Sequence, residues 1–222
     1  NEVQWHYDQD GNVFFSSLFG DKRWMINNLR ATSYAPGSPT NPDLSISYAI
    51  PAAPDTYTAA RYAYPNPSGS TNPNDKTQFD QRERLGLLYN WAAATGNQNP
   101  STGNQYDGNH PSYQGICPDG WHLPSAKEWK NLIEEIEINY GKYSSNDDGA
   151  KTANSMKDIC ERTANTAKSL NMLNGGFNIL LAGLATTGKM LVYNDRAGFW
   201  ASGSVASNAA CMQQLNFSEA IM

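Results

Sequence analysis

The feature that most constrains how this chain folds is the stretch Ile116–Trp129, reading ICPDGWHLPSAKEW. Pro118-Asp119-Gly120 predicts a turn: proline presets φ, the aspartate side chain bonds nearby backbone, and glycine accepts a positive φ. Pro124-Ser125 then opens a helix, with Ser125 as N-cap and Glu128, three residues on, completing a capping box. Trp129, Leu132, Ile133 and Ile136 follow at i, i+3, i+4 and i+7, one apolar stripe. Lys127, Lys130, Glu134, Glu135 and Glu137 take the opposite face, and Gly141 is a natural stop after Tyr140. A helix is predicted over 125–140.

With 222 residues, and about 150 per domain as a guide, one large domain or one domain with a long insertion fits best. Hydrophobic residues make up 39% and charged residues 17%, both low. The balance goes to Asn, Ser, Thr, Gly, Pro and Tyr, the mixture of secreted, loop-rich proteins rather than cytosolic enzymes. Six Trp, twelve Tyr and seven Phe supply core material and argue against disorder throughout. The net charge is −5 with no run of Lys or Arg, so no phosphate-neutralising patch exists and no nucleic-acid partner is expected. The longest apolar run is too short to span a bilayer. No signal peptide is visible, and Asn1 reads as the start of a mature or trimmed chain, which is compatible with export. Cys117, Cys160 and Cys211 are too far apart for CxxC chemistry. They allow one disulfide plus a leftover thiol in an oxidising compartment, or three buried thiols.

Taken in order, Asn1 to Asp8 reads as a linker or first strand. Asp8-Gln9-Asp10-Gly11-Asn12 is a hairpin turn or a partial calcium loop. A full loop of that kind needs an acidic ligand at its twelfth position, where Phe19 stands, so the turn is expected. Val13 to Leu18 predicts a strand paired with Lys22 to Ile26 across Gly20-Asp21. Residues 32–80 are rich in Pro, Ser, Asn, Thr, Ala and Tyr. Five tyrosines there (34, 48, 57, 62 and 64) argue for an ordered excursion, with short strands around 45–50 and 56–62. Asp80 to Thr95 predicts a helix capped by Asp80, with Leu85, Leu88, Tyr89 and Ala92 as its stripe and Gly96 as its end. Gly86 interrupts it and leaves an extended first part as the other reading. Residues 97–113 form a polar loop, 144–149 a turn-rich loop, and 153–170 a further helix. After Asn174-Gly175-Gly176 come β-like runs at 177–181, 189–193, 199–202 and 209–217. Helices before strands suggest α+β with an antiparallel sheet.

Little in the sequence suggests catalysis. His122 is isolated from His6 and His110, with no H-x-H or H-x-x-x-H spacing, so a structural histidine bonding loop backbone is expected. Trp24, Trp91, Trp121, Trp129 and Trp200 could form a sugar-stacking platform, but their places on apolar faces favour core. Loop aromatics with polar neighbours are the better ligand candidates: Tyr57, Tyr62, Tyr64, Tyr106 and Tyr113. Packing within their own loop is an equal alternative for each. No G-x-S-x-G, phosphate loop or dinucleotide fingerprint occurs, and no catalytic residue, metal ligand or cofactor is expected. Carboxylate pairs for glycoside hydrolysis are set in three dimensions, and nothing here points to one.

Four blocks, in order, carry a family resemblance. The first is residues 8–34, with Gly11-Asn12, Gly20, Trp24-Met25 and Asn28-Leu29. The second is Gly86 to Ala94, GLLYNWAAA. The third is Cys117-Pro118, Gly120 to Ser125 and Glu128-Trp129. The fourth is Gly176-Phe177-Asn178, Ala182-Gly183, Gly188 and Phe199 to Ser202. Together they resemble the Fibrobacter succinogenes major paralogous domain family, widespread in Bacteroidetes. The resemblance implies a C-type lectin-like α+β fold near that of the formylglycine-generating enzyme: two or three helices around a small, mainly antiparallel, irregular sheet with long loops. It implies a single domain over 1–222, with insertions at about 33–80 and 143–172. The family normally ends in a G-F-S-V-R-C strand; none occurs up to Met222, so the closing strand is expected to be absent, trimmed or supplied by another chain, and Cys117 to lack its usual partner. Asn41-Pro42-Asp43 and Asn72-Pro73-Asn74 lie too early for a lectin calcium loop, and Tyr193-Asn194-Asp195 is not W-N-D, so calcium-dependent sugar binding is not expected. The formylglycine-generating reaction uses a cysteine pair near the C-terminal part of the fold, where only Cys211 stands.

The resemblance implies a non-catalytic, exported cell-surface module for adhesion or for binding a glycan or protein. Such a module would be an outer-membrane-anchored lipoprotein or a fimbrial-tip component with a neighbouring pilin or surface subunit. Loops 33–80 and 97–115 would form the binding surface. The alternatives are a structural surface protein completed by a donated strand and an enzyme of the formylglycine-generating type. On this reading Cys117, Trp121, His122, Pro124, Ser125, Glu128 and Trp129 form the internal clamp of the fold.

Overall fold

In this computed structural model the described residues are 3–38, 47–48, 59–72, 75–97, 113–140, 177, 180–186, 188–206 and 209–216. Strands β1 (Gln4–Tyr7), β2 (Val13–Phe19) and β3 (Lys22–Met25) form an antiparallel meander. The Asp8–Asn12 run closes the first hairpin. The Asp8 carboxylate accepts from the backbone N–H of Asp10 and Asn12, at 3.0 and 2.8 Å, and from the Asn12 amide. Asp10 then fastens the tip to the next segment by accepting from Thr32 and Ser33, which holds its carboxyl below the usual range although burial opposes this.

Alternation along β2 shows how this sheet is covered. Phe14 and Ser16 are buried, then Ser17 and Phe19. Successive side chains point to opposite faces, so one face is covered at the start of the strand and the other at its end. Trp121 covers the first, its ring centroid 5.3 Å from Phe14 and 5.4 Å from His6. Trp129 covers the second, 5.0 Å from Trp24, which pairs with Ser17. The uncovered part of that second face leaves Trp5, Tyr7 and Phe15 at 62%, 59% and 45% exposure.

Strands β4 (Ser47–Tyr48), β5 (Arg61–Ala63) and β6 (Leu88–Tyr89) form a second small sheet, β4–β5 parallel and β5–β6 antiparallel. The helix predicted over Asp80–Thr95 is not continuous. The chain makes α1 (Thr77–Gln81), a 3-10 turn at Glu83–Leu85, β6 and α2 (Trp91–Thr95). Gly86 causes the break, with φ 64° and ψ −158°. Its backbone lies against another segment: Leu87 N–H donates to Leu29 O at 2.9 Å and the Asn28 amide donates to Leu85 O at 2.7 Å. Asp80 lies inside α1 rather than capping it. Asn90 restarts the helix by accepting from Ala93 N–H at 3.0 Å, and left-handed Gly96 ends it.

Helix α3 (Ala126–Tyr140) opens with a complete capping box. Ser125 Oγ accepts from Glu128 N–H at 3.2 Å, and Glu128 Oε2 accepts from Ser125 N–H at 2.8 Å and from its hydroxyl at 3.0 Å. Its stripe buries Trp129, Leu132, Ile133 and Ile136 against Phe19, Trp24, Phe177 and Ala201. Truncation of a buried tryptophan in such a cluster costs about 3–5 kcal/mol. The chain continues as two antiparallel hairpins, β7 (Leu184–Thr186) with β8 (Lys189–Leu191) and β9 (Arg196–Ala206) with β10 (Ala209–Asn216). The β-like run predicted at 177–181 is not a strand at its described residues, Phe177, Leu180 and Leu181. Phe177 instead inserts its ring beside Trp24 and Trp129, 6.2 and 5.8 Å away, and pairing begins with a bridge from Gly183 to Ala197, ahead of the strand at Leu184.

The architecture is α+β to mostly β: few helices and several small antiparallel sheets. No helix among the described residues is long and apolar enough to cross a membrane. Residues 98–112 of the loop predicted at 97–113, the loop at 144–149, the helix at 153–170, the insertion at 143–172 and Cys160 lie outside the described residues. A second apolar cluster forms apart from the one under α3, around Ala31, Tyr34, Ala60, Ala92, Ala93 and Ile116. Tryptophans join the two. Trp200 packs edge-on to Trp91 at 5.8 Å and donates its indole N–H to Tyr89 O at 2.8 Å, while Trp129 donates to Trp200 O at 3.4 Å.

Candidate functional site

The seam between the two clusters is not filled. A cavity of about 890 Å³ lies there, within the range of small-molecule sites. Trp24, Trp129 and Phe177 reach it from the α3 cluster, and Tyr62, Tyr89 and Ile116 from the other. Trp91, Trp121 and Trp200 complete the aromatic wall. Each is held by local structure: Trp91 starts the Asn90-capped helix, Trp121 follows the Pro118 turn, and Trp200 lies on β9. Trp121 N–H donates to Pro118 O at 3.0 Å with Gly120 at φ 81°, as the Pro-Asp-Gly sequence requires.

Polar atoms of the wall are largely committed to the protein itself. Asn90 accepts from Arg61 N–H and Ala93 N–H and donates to Ala59 O. The Tyr89 hydroxyl donates to Ala31 O at 2.7 Å, and burial pushes its pKa well above 10. Four basic side chains line the cavity, Lys22, Arg23, Arg61 and His122, with one acidic side chain, Glu128. His122 Nε2 stands 3.0 Å from Glu128 Oε1. That bond holds the imidazolium above its ordinary 6.5, opposed by partial burial and by the Lys22 charge nearby. The same bond, with those from Ser125, draws Glu128 down to about 2 despite burial. Cys117 is a free thiol in the wall, and burial pushes it up to about 12. Cys211 is buried and disulfide-bonded. Among the described residues no group of three or more His, Cys, Asp or Glu side chains could hold a metal ion.

Of the tyrosines proposed for ligand contact, Tyr62 lines the cavity. Tyr64 is buried in its own loop, edge-on to Tyr62 at 6.2 Å and Phe79 at 5.1 Å, with Lys76 over its ring. Tyr113 is half-buried, and its carbonyl accepts from Leu123 N–H at 2.7 Å. Tyr57 and Tyr106 lie outside the described residues. Of the residues read as a clamp, Cys117, Trp121, His122, Pro124, Glu128 and Trp129 all line the cavity, while Ser125 caps the helix beside it. Sequence reasoning missed Tyr89, Lys22 and Arg61 as wall residues. For Tyr89 the available signal was its place in the second block, between Leu88 and Asn90-Trp91.

The sequence model described as the Fibrobacter succinogenes major domain matches residues 19–221, so β1 and nearly all of β2 precede the matched region. No curated protein and no solved structure matches the chain.

Proposed function

The chain belongs to the Fibrobacter succinogenes major domain family, and from that premise we propose that it is a non-catalytic, exported cell-surface module that binds a ligand, with a C-type lectin-like fold related to that of the formylglycine-generating enzyme. Adhesion to a glycan or protein, as an anchored lipoprotein or a fimbrial-tip component, is the role this reading gives it. The seam cavity carries the proposal: it is aromatic-walled, of ligand size, and built from the blocks that define the fold. Two of its reactive side chains, Cys117 and Glu128, are poorly poised for chemistry near neutrality. The Cys117 thiol is pushed up to about 12, and Glu128 is drawn down to about 2 by His122 and its cap. A buried disulfide at Cys211 favours an oxidising compartment, in keeping with export.

A glycan array and a surface-protein capture with purified chain, run beside Ala185→Trp, test the reading. Ala185 is an exposed residue of the cavity lining, so an indole there narrows the opening without entering the core. Loss of capture in the plugged variant is expected. Turnover of a captured ligand, or binding indifferent to the plug, would sink it.

One observation favours the second reading, a surface protein completed by a donated strand. Strand β1 pairs only with β2 among the described residues and presents Trp5 and Tyr7 at 62% and 59% exposure. An apolar edge of this kind invites strand addition. Sedimentation of the wild type against Trp5→Ser/Phe15→Ser decides it, since a donated strand requires self-association or partner capture that the double variant loses.

A further inference from the structure

We propose that the occupant of the seam cavity is a small anionic amphiphile, an apolar or aromatic body carrying one carboxylate or phosphate group. This rests on the reading above that the cavity is a ligand site, and within the seam it replaces the glycan or protein of that reading by a small amphiphile.

The wall argues for the apolar body. Indole N–H groups of Trp129 and Trp200 are given to backbone carbonyls, the Asn28 amide to Leu85 O, and the Tyr89 hydroxyl to Ala31 O. Both ends of the Asn90 amide are also used. A polyhydroxylated ligand entering here would shed water from its hydroxyls and find few partners, which carries the full desolvation penalty. A hydrocarbon or aromatic body meets carbon on most sides and loses nothing.

Charge argues for the anion. The chain as a whole carries −5, yet the cavity lining carries four basic side chains against one acidic. That one, Glu128, already faces His122 and accepts from Ser125. Lys22 and His122 are both exposed, and they are close enough for the ammonium to oppose the imidazolium. An anionic headgroup beside them relieves that repulsion while its body enters the seam. The volume of about 890 Å³ accommodates a body of this kind.

Two fluorescent probes with nearly the same ring system separate the claims on the full chain: anionic 1-anilinonaphthalene-8-sulfonate and neutral N-phenyl-1-naphthylamine. The anionic probe is expected to bind more tightly, and dodecanoate or dodecyl phosphate to displace it. The two competitors distinguish a carboxylate from a phosphate headgroup. Lys22→Glu, at an exposed position, should weaken the anionic probe about three- to tenfold and leave the neutral one unchanged. Ala185→Trp should weaken both. Equal binding of the two probes with no Lys22→Glu effect overturns the anionic class while leaving the cavity reading intact. A neutral oligosaccharide that displaces the probe more readily than dodecanoate does the same. Binding that survives Ala185→Trp but vanishes in Trp5→Ser/Phe15→Ser places the probes on the exposed β1–β2 face and overturns the proposal. If the plug also leaves glycan and protein capture unchanged, the underlying reading falls with it.

Discussion

Gly86→Ala tests the account of why the second block is not a helix. Gly86 sits at φ 64° and ψ −158°, a region that residues with a Cβ avoid. Holding alanine there costs about 1–3 kcal/mol. A Cβ would also stand 2.5 Å from Asn28 Cβ and 2.6 Å from Leu29 O. The second of these is backbone in the second apolar cluster's own segment, so relief requires a chain shift, and such overpacking costs about another 1–3 kcal/mol. The smaller unfolded-state entropy of alanine returns about 0.4–1 kcal/mol. The net is a loss of about 1–6 kcal/mol, centred near 3, against the roughly 5–15 kcal/mol that holds a domain together. Gly11→Ala is the internal control. Gly11 also has positive φ, at 80°, but an added Cβ meets nothing within 4 Å, so only the conformational cost of about 1 kcal/mol applies. Urea unfolding followed by tryptophan fluorescence reads both. At about 2–4 °C per kcal/mol for a chain of this size, the central loss of about 3 kcal/mol should also lower melting of Gly86→Ala by roughly 6–12 °C. If the two variants lose equal stability, the close approach to Asn28 and Leu29 is not what holds Gly86.

Three further outcomes follow from the Ile116–Trp129 stretch. Ser125→Ala removes the acceptor for Glu128 N–H and should cost about 1 kcal/mol in denaturant unfolding; no loss would show the box to be idle. Glu128 is depressed from 4.5 to about 2, so its contribution is present above pH 4.5 and lost as pH falls through about 2. His122 is raised above 6.5, so its contribution is present below pH 6.5 and lost as pH rises through its folded value. The pair therefore contributes fully between about pH 4.5 and 6.5. Its side chains are 43% and 29% exposed, which limits it to about 1 kcal/mol. In a pH series of unfolding free energies His122→Gln should abolish the alkaline-side loss, and a variant that retains it assigns that loss elsewhere. The Cys117 thiol, up at about 12 from 9.0, should react with iodoacetamide at pH 8 about a hundred- to a thousandfold more slowly in the folded chain than in urea, as mass spectrometry of the labelled peptide would report; comparable rates would mean the thiol is not withdrawn.

What the sequence reveals and what it hides divide by the range of the interaction that decides each feature. The Pro118 turn, the capping box and the β2–β3 hairpin are each settled within thirteen consecutive residues, so their residue types announce them. The stripe Leu85, Leu88, Tyr89 and Ala92 has good helical spacing, yet the helix breaks because Gly86 lies against Asn28 and Leu29. Those partners are more than fifty residues away, and no local pattern records them. Phe177 is similar: its neighbours suggest a strand, but four aromatic rings from other elements hold it as a core wedge.

The site was hidden for a different reason. In the sequence, tryptophans on apolar faces read as core rather than as a ligand platform, and loop tyrosines with polar neighbours read as the better ligand candidates. Trp129 shows why the choice was false. It is 3% exposed and packs at the centre of one cluster, so it is core by any measure, yet it also lines the cavity. A residue can do both where two cores meet without merging. Trp200 fixes how closely they meet. Its indole N–H reaches Tyr89 of one cluster, its carbonyl receives Trp129 of the other, and its ring stands edge-on to Trp91. These contacts tie β9 to β6 and α3 by directional bonds, so closing the seam by sliding would break a part-buried hydrogen bond on one side. The space left between them follows from these contacts, and Lys22, His122 and Ala185 are exposed residues of its lining.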